Sequence, residues 1–311
     1  ADLMDAFDLL GPLPGRATTT VLEASAGTGK TYALAGLVTR YVAEGVATLD
    51  EMLLITFSRA ATRELRERVR AQLVKTVAAL ADPSEDDDDL IRHLAAVEPG
   101  ELVQRRARLR DALSDFDAAT IATTHEFCGL VLRSLGIAGD TDSGAQLVES
   151  LDELVGEIVS DLYLTTYGDQ RDEPALSFAE ALDLAKRVVG DPGAQLRPVT
   201  ADPDSVAAQR LSFARAVLEE LERRKRRLGV LSFDDLLSRL ATALEEPDAP
   251  ARDRMRRRWP IVMVDEFQDT DPVQWQVISR AFVGHSAVVL IGDPKQAIYA
   301  FRGGDIVTYL D

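Results

Sequence analysis

The sequence contains one cysteine and no long apolar run, and these shortages exclude several classes of protein. A single thiol, Cys128, forms no intramolecular disulfide and rules out a cysteine-rich zinc module. No uninterrupted apolar stretch approaches the ~20 residues of a membrane span, and the acidic start, Asp2 to Asp8, lacks the basic residues of a signal peptide. We therefore predict a cytoplasmic protein that is neither secreted nor inserted in a membrane.

Positive charge is also scarce, with 35 Lys+Arg against 52 Asp+Glu and a net charge of −17. That balance repels nucleic acid at long range, so any DNA-binding role requires a local basic or stacking surface. Apolar residues at 46% and charged residues at 28% are typical of a folded rather than a disordered chain. The length of 311 residues suggests about two domains.

Short apolar runs alternate with longer segments of helical spacing, and this order predicts an α/β fold. The runs are short enough to be strands of a parallel sheet that helices cover on both faces. Strands are predicted at Thr19–Glu23, Met52–Phe57, Ala119–Thr123, Ile261–Asp265 and Ala287–Ile291. Helices are predicted after the first four strands, at Lys30–Ala43, Ser58–Ala79, His125–Leu135 and Pro272–Phe282.

The middle of the chain has a different pattern. Residues 136–230 predict an inserted all-helical subdomain without strands, and residues 1–135 and 231–311 predict the core. The acidic run Glu85–Asp89 predicts a solvated loop between helices, and the proline-containing stretch Gly190–Pro203 predicts another loop. Helical spacing in the insert occurs at Ala145–Tyr163, Ser177–Val189 and Asp204–Arg227.

A glycine-rich segment lies between the first predicted strand and the first predicted helix. Such an order is that of a P-loop, in which backbone N–H groups and a helix N-terminus surround a polyphosphate. Lys30 is predicted to reach the β- and γ-phosphates, and the Thr31 hydroxyl to ligate Mg²⁺. Ala24 stands where the usual pattern has glycine. The full segment is Ala24, Ser25, Ala26, Gly27, Thr28, Gly29, Lys30 and Thr31.

A P-loop requires an acidic residue on a neighbouring strand, and the run Ile261–Val264 ends in Asp265 and Glu266. Asp265 is predicted to hold Mg²⁺, directly or through water. Glu266 is predicted to polarise the water that attacks the γ-phosphate. Paired carboxylates are common on protein surfaces, so the prediction depends on their combination with Lys30.

Several segments resemble, in order, the motifs of the superfamily 1A helicases, the UvrD/Rep group. Asp265–Pro272 is similar to motif II, Gly292–Asp305 to motif III, Leu54–Leu65 to motif Ia and Thr123–Cys128 to motif Ib. Within the group, Glu23–Thr31 and the motif III form are most similar to the RecB-like subfamily, with the AddA-like subfamily as the nearest alternative. The resemblance implies a RecA-like P-loop NTPase core that uses ATP and Mg²⁺.

The resemblance also implies roles for individual residues. Gln296 would contact the γ-phosphate, as a fourth catalytic residue beside Lys30, Asp265 and Glu266, and couple the nucleotide to the DNA. Base stacking is worth roughly 1–3 kcal/mol per base and does not depend on sequence. Tyr299 and Phe301 would stack on single-stranded DNA; the alternative is that both are ordinary core aromatics. The remaining DNA-binding residues would be Arg302, near the strand, and Phe57 and His125, lining the groove.

The sequence departs from the group's pattern in two places. Related helicases have an adenine-reading glutamine before the first strand, whereas this chain has Leu13-Pro14-Gly15-Arg16, which leaves adenine selectivity open. The chain also ends at Asp311, directly after motif III. We therefore expect an amino-terminal fragment that lacks the second RecA-like lobe and the nuclease domain and is inactive alone.

Two basic clusters flank the return from the insert to the core, at Arg223–Arg227 and Arg254–Arg258. They allow two interpretations, contacts with DNA phosphates or solvated faces balanced by nearby acids, and we favour the second. The segment Leu231–Leu237 resembles one that marks re-entry into the core of UvrD-like proteins.

The resemblance implies the motor lobe of a 3′-to-5′ DNA helicase that acts at DNA ends in double-strand break repair. Its expected partners are single-stranded and double-stranded DNA, together with RecC-like and RecD-like subunits or an AddB-like subunit. Two other classes stay open, a scaffold with a vestigial nucleotide site and a P-loop kinase. A kinase requires an acceptor-binding lid, for which the sequence has no segment, and it leaves motif III unexplained.

Overall fold

The computed structural model describes residues 8–23, 29–84, 87–134, 146–148, 150–168, 174, 176–190, 205–270 and 272–292. Packing of the backbone divides the chain into two units. One unit comprises residues 1–135 and 237–311, and the other comprises residues 136–236. None of the helices in the described ranges is long and apolar enough to cross a membrane.

A five-stranded parallel sheet forms the centre of the first unit. Its order is β1 (Thr19–Glu23), β7 (Ala287–Gly292), β6 (Ile261–Val264), β2 (Met52–Thr56) and β3 (Thr120–Thr123). Every residue of the four strands β2, β3, β6 and β7 is buried, as expected for strands covered on both faces. The predicted α/β fold is confirmed, and each strand end lies within one residue of its prediction.

Helices connect and cover these strands. The predicted helices are present as α1 (Lys30–Ala43), α2 (Arg59–Ala79), α5 (Thr124–Ser134) and α11 (Pro272–Phe282). Further helices, for which the sequence analysis made no prediction, are α3 (Asp89–Ala95), α4 (Pro99–Ser114), α9 (Phe233–Ala243) and α10 (Pro250–Arg258).

The core of the first unit contains more than one group of packed apolar side chains. Met52 and Leu54 are two positions apart in β2, so they point to one face, where they join the cluster of α1, α2 and α4. Elsewhere in this unit the fully buried rings of Phe127, Trp259 and Phe282 pack together, with Phe127 edge-on to Trp259 at 5.5 Å. The indole N–H of Trp259 donates to Thr120 Oγ1, so its burial leaves no unpaired donor.

The acidic run Glu85–Asp89 was expected to be a loop, and this prediction is wrong at its end. Asp88 caps the N-terminus of α3, because its carboxylate accepts a hydrogen bond from the N–H of Ile91. The same carboxylate pairs with Lys75 at 2.6 Å. The capping hydrogen bond and the helix dipole both stabilise an acid at a helix N-terminus. This end of the run therefore begins a helix.

The second unit contains three helices among its described residues, α6 (Asp152–Tyr167), α7 (Phe178–Gly190) and α8 (Val206–Leu228). They enclose a separate apolar cluster that includes Val155, Ile158, Phe213 and Val217. The expectation of no strands is wrong, since β4 (Gln146–Leu147) pairs in parallel with β5 (Val230–Leu231).

The helix predicted from Ala145 therefore begins later, at Asp152. Two-residue strands have no readable periodicity, so sequence spacing could not identify β4 or β5. Most of the predicted loop Gly190–Pro203 lies outside the described residues.

Candidate functional site

The carboxyl ends of the parallel strands bring the predicted nucleotide residues together. Strand β7 lies between β1 and β6, so the acids follow the next strand but one and not the neighbouring strand that the sequence analysis predicted. Because the three strands are parallel, the helix that follows β1 and the acids that follow β6 still meet at one edge of the sheet. Nζ of Lys30 lies 3.1 Å from Oε2 of Glu266, although the two residues are 236 positions apart in the sequence. The fold thus assembles the pair that the sequence analysis predicted.

Lys30 begins α1, and its side chain is only 9% exposed. The preceding residue, Gly29, has φ of 88°, a left-handed conformation that a residue with a side chain adopts at a cost. Gly29 offers no side-chain cap, and the first turn of α1 has no acidic residue. A helix N-terminus of this kind attracts anions, because its first N–H groups and the helix dipole both favour negative charge.

Asp265 follows β6 and is half-buried. Its N–H donates to the carbonyl oxygen of Ile55 on β2, which continues the sheet pairing and fixes the backbone at this point. Burial, followed by the negative charge of Glu266, raises the pKa of Asp265 to about 6. The N–H of Glu266 and the charge of Lys30 counteract only part of that shift. A carboxylate so poorly compensated by the protein favours a cation beside it.

Glu266 has a strained backbone. Its φ of 51° is left-handed, one of two such values among the described non-glycine residues. Oε2 of its side chain accepts hydrogen bonds from Lys30 and from Nε2 of Gln268. Backbone strain of this kind concentrates at functional sites, where the surroundings hold it in place. A 3₁₀ turn, Phe267–Asp269, follows directly.

The magnesium prediction concerns oxygen atoms at the same edge. Thr31 is half-buried in the first turn of α1, and Asp265 is the poorly compensated carboxylate described above. A hydroxyl and a carboxylate are ligands of the hard-oxygen type that Mg²⁺ prefers, and this ion usually keeps several waters rather than filling a cage of protein groups. The donor set therefore fits Mg²⁺.

The two predicted DNA residues in the described ranges lie farther along this edge. Phe57 directly follows β2 and is 39% exposed, and His125 is half-buried in the first turn of α5, just after β3. Because Thr56 and Thr123 are aligned partners in the sheet, the segments that follow them are adjacent. The remaining predicted site residues lie outside the described ranges, namely Ala24, Ser25, Ala26, Gly27, Thr28, Gln296, Tyr299, Phe301 and Arg302.

Gln268 is a contact of the site that the sequence analysis did not assign. It is 5% exposed, and its amide nitrogen lies 2.5 Å from Oε2 of Glu266. Its place within motif II was a signal that it belongs to the site. Its role was not readable, because only the 3₁₀ turn after Glu266 brings a residue two positions later back onto that carboxylate.

The basic cluster Arg223–Arg227 is largely paired with acids inside the second unit. Arg224 contacts Asp161 and Glu220 at 2.5 and 2.8 Å, and Arg223 pairs with Glu220. Lys225 is buried between Glu222 and Asp235. This arrangement favours the interpretation of a balanced surface over one of phosphate contacts.

The other cluster, Arg254–Arg258, also makes internal contacts. Arg254 donates to the carbonyl oxygen of Ser134, and Arg256 donates to that of Ala281. The guanidinium of Arg258 lies over the ring of Trp259. These side chains hold α10 on the first unit.

Comparison with known proteins assigns the chain to a family. Residues 13–311 match the UvrD/REP helicase N-terminal domain. The chain is 71% identical to the RecBCD enzyme subunit RecB of Mycolicibacterium smegmatis and 67% identical to that of Mycobacterium tuberculosis (strain H37Rv), in each case over 99% of this chain and 28% of the relative. It is 28% identical to RecBCD enzyme subunit RecB of Escherichia coli (strain K12), over 100% of this chain and 36% of that protein.

The chain therefore spans about a third or less of the length of these curated relatives. Helicases consume ATP, in agreement with a lysine and paired acids at the sheet edge. Since the family match covers nearly the whole sequence, the chain belongs to the UvrD/REP helicase N-terminal domain family.

Proposed function

We propose that this chain is the ATP-binding motor lobe of a RecB-like DNA helicase that moves 3′ to 5′ along single-stranded DNA. The observation that carries the proposal is the contact between Lys30 and Glu266 beside the poorly compensated Asp265. A lysine for the phosphates, an acid that holds Mg²⁺ and a residue that positions the attacking water recur in nucleoside triphosphatase sites.

Lys30 is the phosphate-binding group of the proposed site. With its amine at the start of α1, it can exchange its contact with Glu266 for the oxygens of the β- and γ-phosphates. The uncapped N-terminus of α1 adds backbone donors for the same negative charge. This exchange links nucleotide binding to a change at Glu266, which loses one of its two donors.

Glu266 is the proposed general base. Its carboxylate accepts a proton from the water that attacks the γ-phosphate, and hydrogen bonds from Lys30 and Gln268 hold it at the sheet edge. Thr31 and Asp265 would hold Mg²⁺, which supplies positive charge that offsets the charge on the phosphate oxygens. Separate residues thus hold the nucleotide and accept the proton.

DNA is proposed to lie along the part of the edge that follows β2 and β3. Phe57 offers an exposed aromatic ring, as stacking on unpaired bases requires, and His125 follows the neighbouring strand β3. The predicted motif III residues would complete the contact, with Gln296 at the γ-phosphate and Tyr299, Phe301 and Arg302 on the strand. Stacking is compatible with the acidic net charge, because it depends less on phosphate attraction.

The names of the relatives support a proposal for the partners and substrates of this lobe. They are subunits of an enzyme called RecBCD, so we propose RecC-like and RecD-like partners, with an AddB-like partner as the alternative. Its proposed substrates are single-stranded and double-stranded DNA ends in break repair, in the cytoplasm. We retain the division into a core lobe of residues 1–135 and 231–311 with an insert of residues 136–230.

ATP turnover by the full-length protein, with and without single-stranded DNA, tests the proposal. We expect DNA to stimulate turnover and Lys30→Ala to abolish it, since the substitution removes a charge aimed at the phosphates. Lys186→Ala is the matched control, because Lys186 is an exposed lysine of α7. Turnover that persists in Lys30→Ala, or that ignores DNA, would contradict the motor assignment and favour a kinase or a scaffold.

A further inference from the structure

We propose that Gln268 is a positioning residue for Glu266, and that Gly292 at the end of β7 provides the space its side chain requires. The inference rests on the proposed function and deepens it, because it names the group that keeps the general base oriented during turnover. It concerns three described residues that meet in the first unit.

The hydrogen bonding of Glu266 suggests this role. Two donors reach the same oxygen, Oε2: Nζ of Lys30 at 3.1 Å and Nε2 of Gln268 at 2.5 Å. Once Lys30 turns to the phosphates of a bound nucleotide, Gln268 is the donor of this pair that stays on the carboxylate. The other oxygen, Oε1, lies outside these two contacts and is the one that can face the attacking water.

The side chain of Gln268 is itself fixed by packing. It is 5% exposed, and its Oε1 lies against the end of β7. A Cβ atom added to Gly292 would come within 2.4 Å of that Oε1 and within 3.3 Å of the backbone nitrogens of Phe267 and Gln268. Gly292 does not have a left-handed backbone, so the glycine provides space rather than conformational freedom.

An amide suits this task for a chemical reason. It is neutral, so it can orient a carboxylate without the strong reduction of basicity that a second fixed cation would cause. Glu266 is 34% exposed, and without a donor its side chain would be free to exchange rotamers in solvent. A base displaced by about 1 Å can lose on the order of 10²-fold in rate, whereas binding of the phosphates through Lys30 would be little changed.

The first test compares binding with chemistry in the full-length protein. For Gln268→Leu we expect single-turnover hydrolysis of ATP to be about 10- to 100-fold slower, as for a misplaced base. The affinity for a fluorescent ATP analogue should change less than about threefold. The matched control is Gln72→Leu, which removes another buried glutamine, one that bonds Thr76 in α2 away from the site. Hydrolysis at the control rate in Gln268→Leu would overturn the proposal.

A double-substitution cycle separates positioning from a purely structural role. If Gln268 acts through Glu266, then adding Gln268→Leu to Glu266→Gln should slow hydrolysis by less than about twofold beyond Glu266→Gln alone. Independent, multiplicative losses would overturn the proposal. Should Gln268→Leu fail to fold, Gln268→Asn takes its place in the cycle, because it keeps a buried amide but is one methylene too short to reach the carboxylate.

Gly292→Ala tests the space requirement. The added methyl group should displace the Gln268 amide and reproduce the slower hydrolysis with retained nucleotide affinity, whereas Gly100→Ala, where a Cβ meets no atom within 4 Å, should behave as the wild type. Normal hydrolysis in Gly292→Ala would contradict the role given to this glycine. Failure of the proposed function itself looks different, because turnover would then survive Lys30→Ala.

Discussion

Asp265 and Asp235 are both half-buried carboxylates, one in each unit, yet the protein treats them in opposite ways. Asp235 accepts hydrogen bonds from Lys225 at 2.6 Å and from the N–H and hydroxyl of Ser232. Burial acts to raise its pKa, but these bonds outweigh burial and the pKa of Asp235 is lowered. At Asp265 burial prevails and the pKa is raised to about 6.

Lys225 and Lys30 differ in the same way as the two aspartates, in how fully nearby groups balance their charge. Lys225 is 7% exposed and lies between two carboxylates, Glu222 at 2.7 Å and Asp235 at 2.6 Å. Lys30 is 9% exposed, and within the described residues it pairs with Glu266 alone, at 3.1 Å. The charges near Lys225 are satisfied by the chain itself, whereas those near Lys30 leave capacity for a ligand. Unbalanced charge therefore distinguishes the functional edge from a structural ion pair that looks similar in sequence.

Among the substitutions that leave Lys30 in place, the largest effect is expected for Glu266→Gln. Loss of a general base should slow ATP hydrolysis by roughly 10²- to 10⁴-fold while the nucleotide still binds, because Lys30 and Asp265 remain. Single-turnover hydrolysis and the affinity for an ATP analogue, measured on the same preparation, check this outcome. A parallel loss of affinity and rate would show that Glu266 and Asp265 do not have the separate roles assigned to them.

Replacing each aspartate with asparagine should change local stability in opposite directions, which tests the comparison of the two aspartates. Asp235→Asn removes charge-assisted hydrogen bonds and should lower local stability by about 1.5–3 kcal/mol. Asp265→Asn removes a poorly compensated charge and should raise local stability by an amount on the order of 1–3 kcal/mol at neutral pH. Hydrogen exchange of α8 and α9 and of β6, in EDTA and without nucleotide, measures both. The same sign for both variants would contradict the comparison.

The pH dependence of stability tests how much the ionised Asp235 stabilises the folded protein. Its pKa in the folded protein is below the ordinary value of 3.8, so the unfolded chain takes up the proton first as pH falls. The stabilisation is complete above 3.8 and is lost as the pH drops through the lower, folded pKa. As the pH falls below 3.8 and through the lower, folded pKa, α8 and α9 should lose more stability in the wild type than in Asp235→Asn. Equal losses would mean that the Lys225 contact contributes nothing.

Sequence reasoning succeeded where short-range patterns decide the structure. The apolar runs predicted the strands, and the bounds of α1 and α11 agree with the prediction. The glycine-rich loop marked the start of α1, and Pro272 is a residue typical of a first helical turn. It failed for β4 and β5, whose pairing joins segments more than eighty positions apart. The starts of α3 and α4 carried usable signals, an aspartate cap and Pro99 in the first turn, that were not interpreted.

Within the site, the sequence predicted which residues lie together but not all of the hydrogen bonds between them. The sequence analysis assigned Lys30 and Glu266 to one nucleotide site, and the parallel strands bring the two residues together at one sheet edge. The contact of Gln268 with that carboxylate occurs across a 3₁₀ turn that begins after a left-handed Glu266, a conformation that residue preferences argue against. Sequence patterns do not predict such backbone strain, because it persists only where the surrounding fold holds the residue in place.

The smallest effect is expected for Arg223→Ala. Arg223 is exposed and pairs only with Glu220 among the described residues, a contact of the surface type that contributes about 0–1 kcal/mol. We expect unchanged affinity for single-stranded DNA and an unchanged salt dependence of that affinity. A salt slope reduced by about one would instead identify Arg223 as a phosphate contact and revive the interpretation that we disfavour.

The affinity of the full-length protein for a fluorescent ATP analogue, measured side by side for Lys30→Ala and Lys225→Met, tests the central claim most directly. Both variants remove the charge of a buried lysine that pairs with acids. We predict that Lys30→Ala weakens binding by about 10- to 100-fold, the value of a lost charge-assisted contact, and that Lys225→Met changes it less than about twofold. Equal affinities in the two variants, or the reverse order, would contradict the assignment of the nucleotide site to Lys30 and its acids.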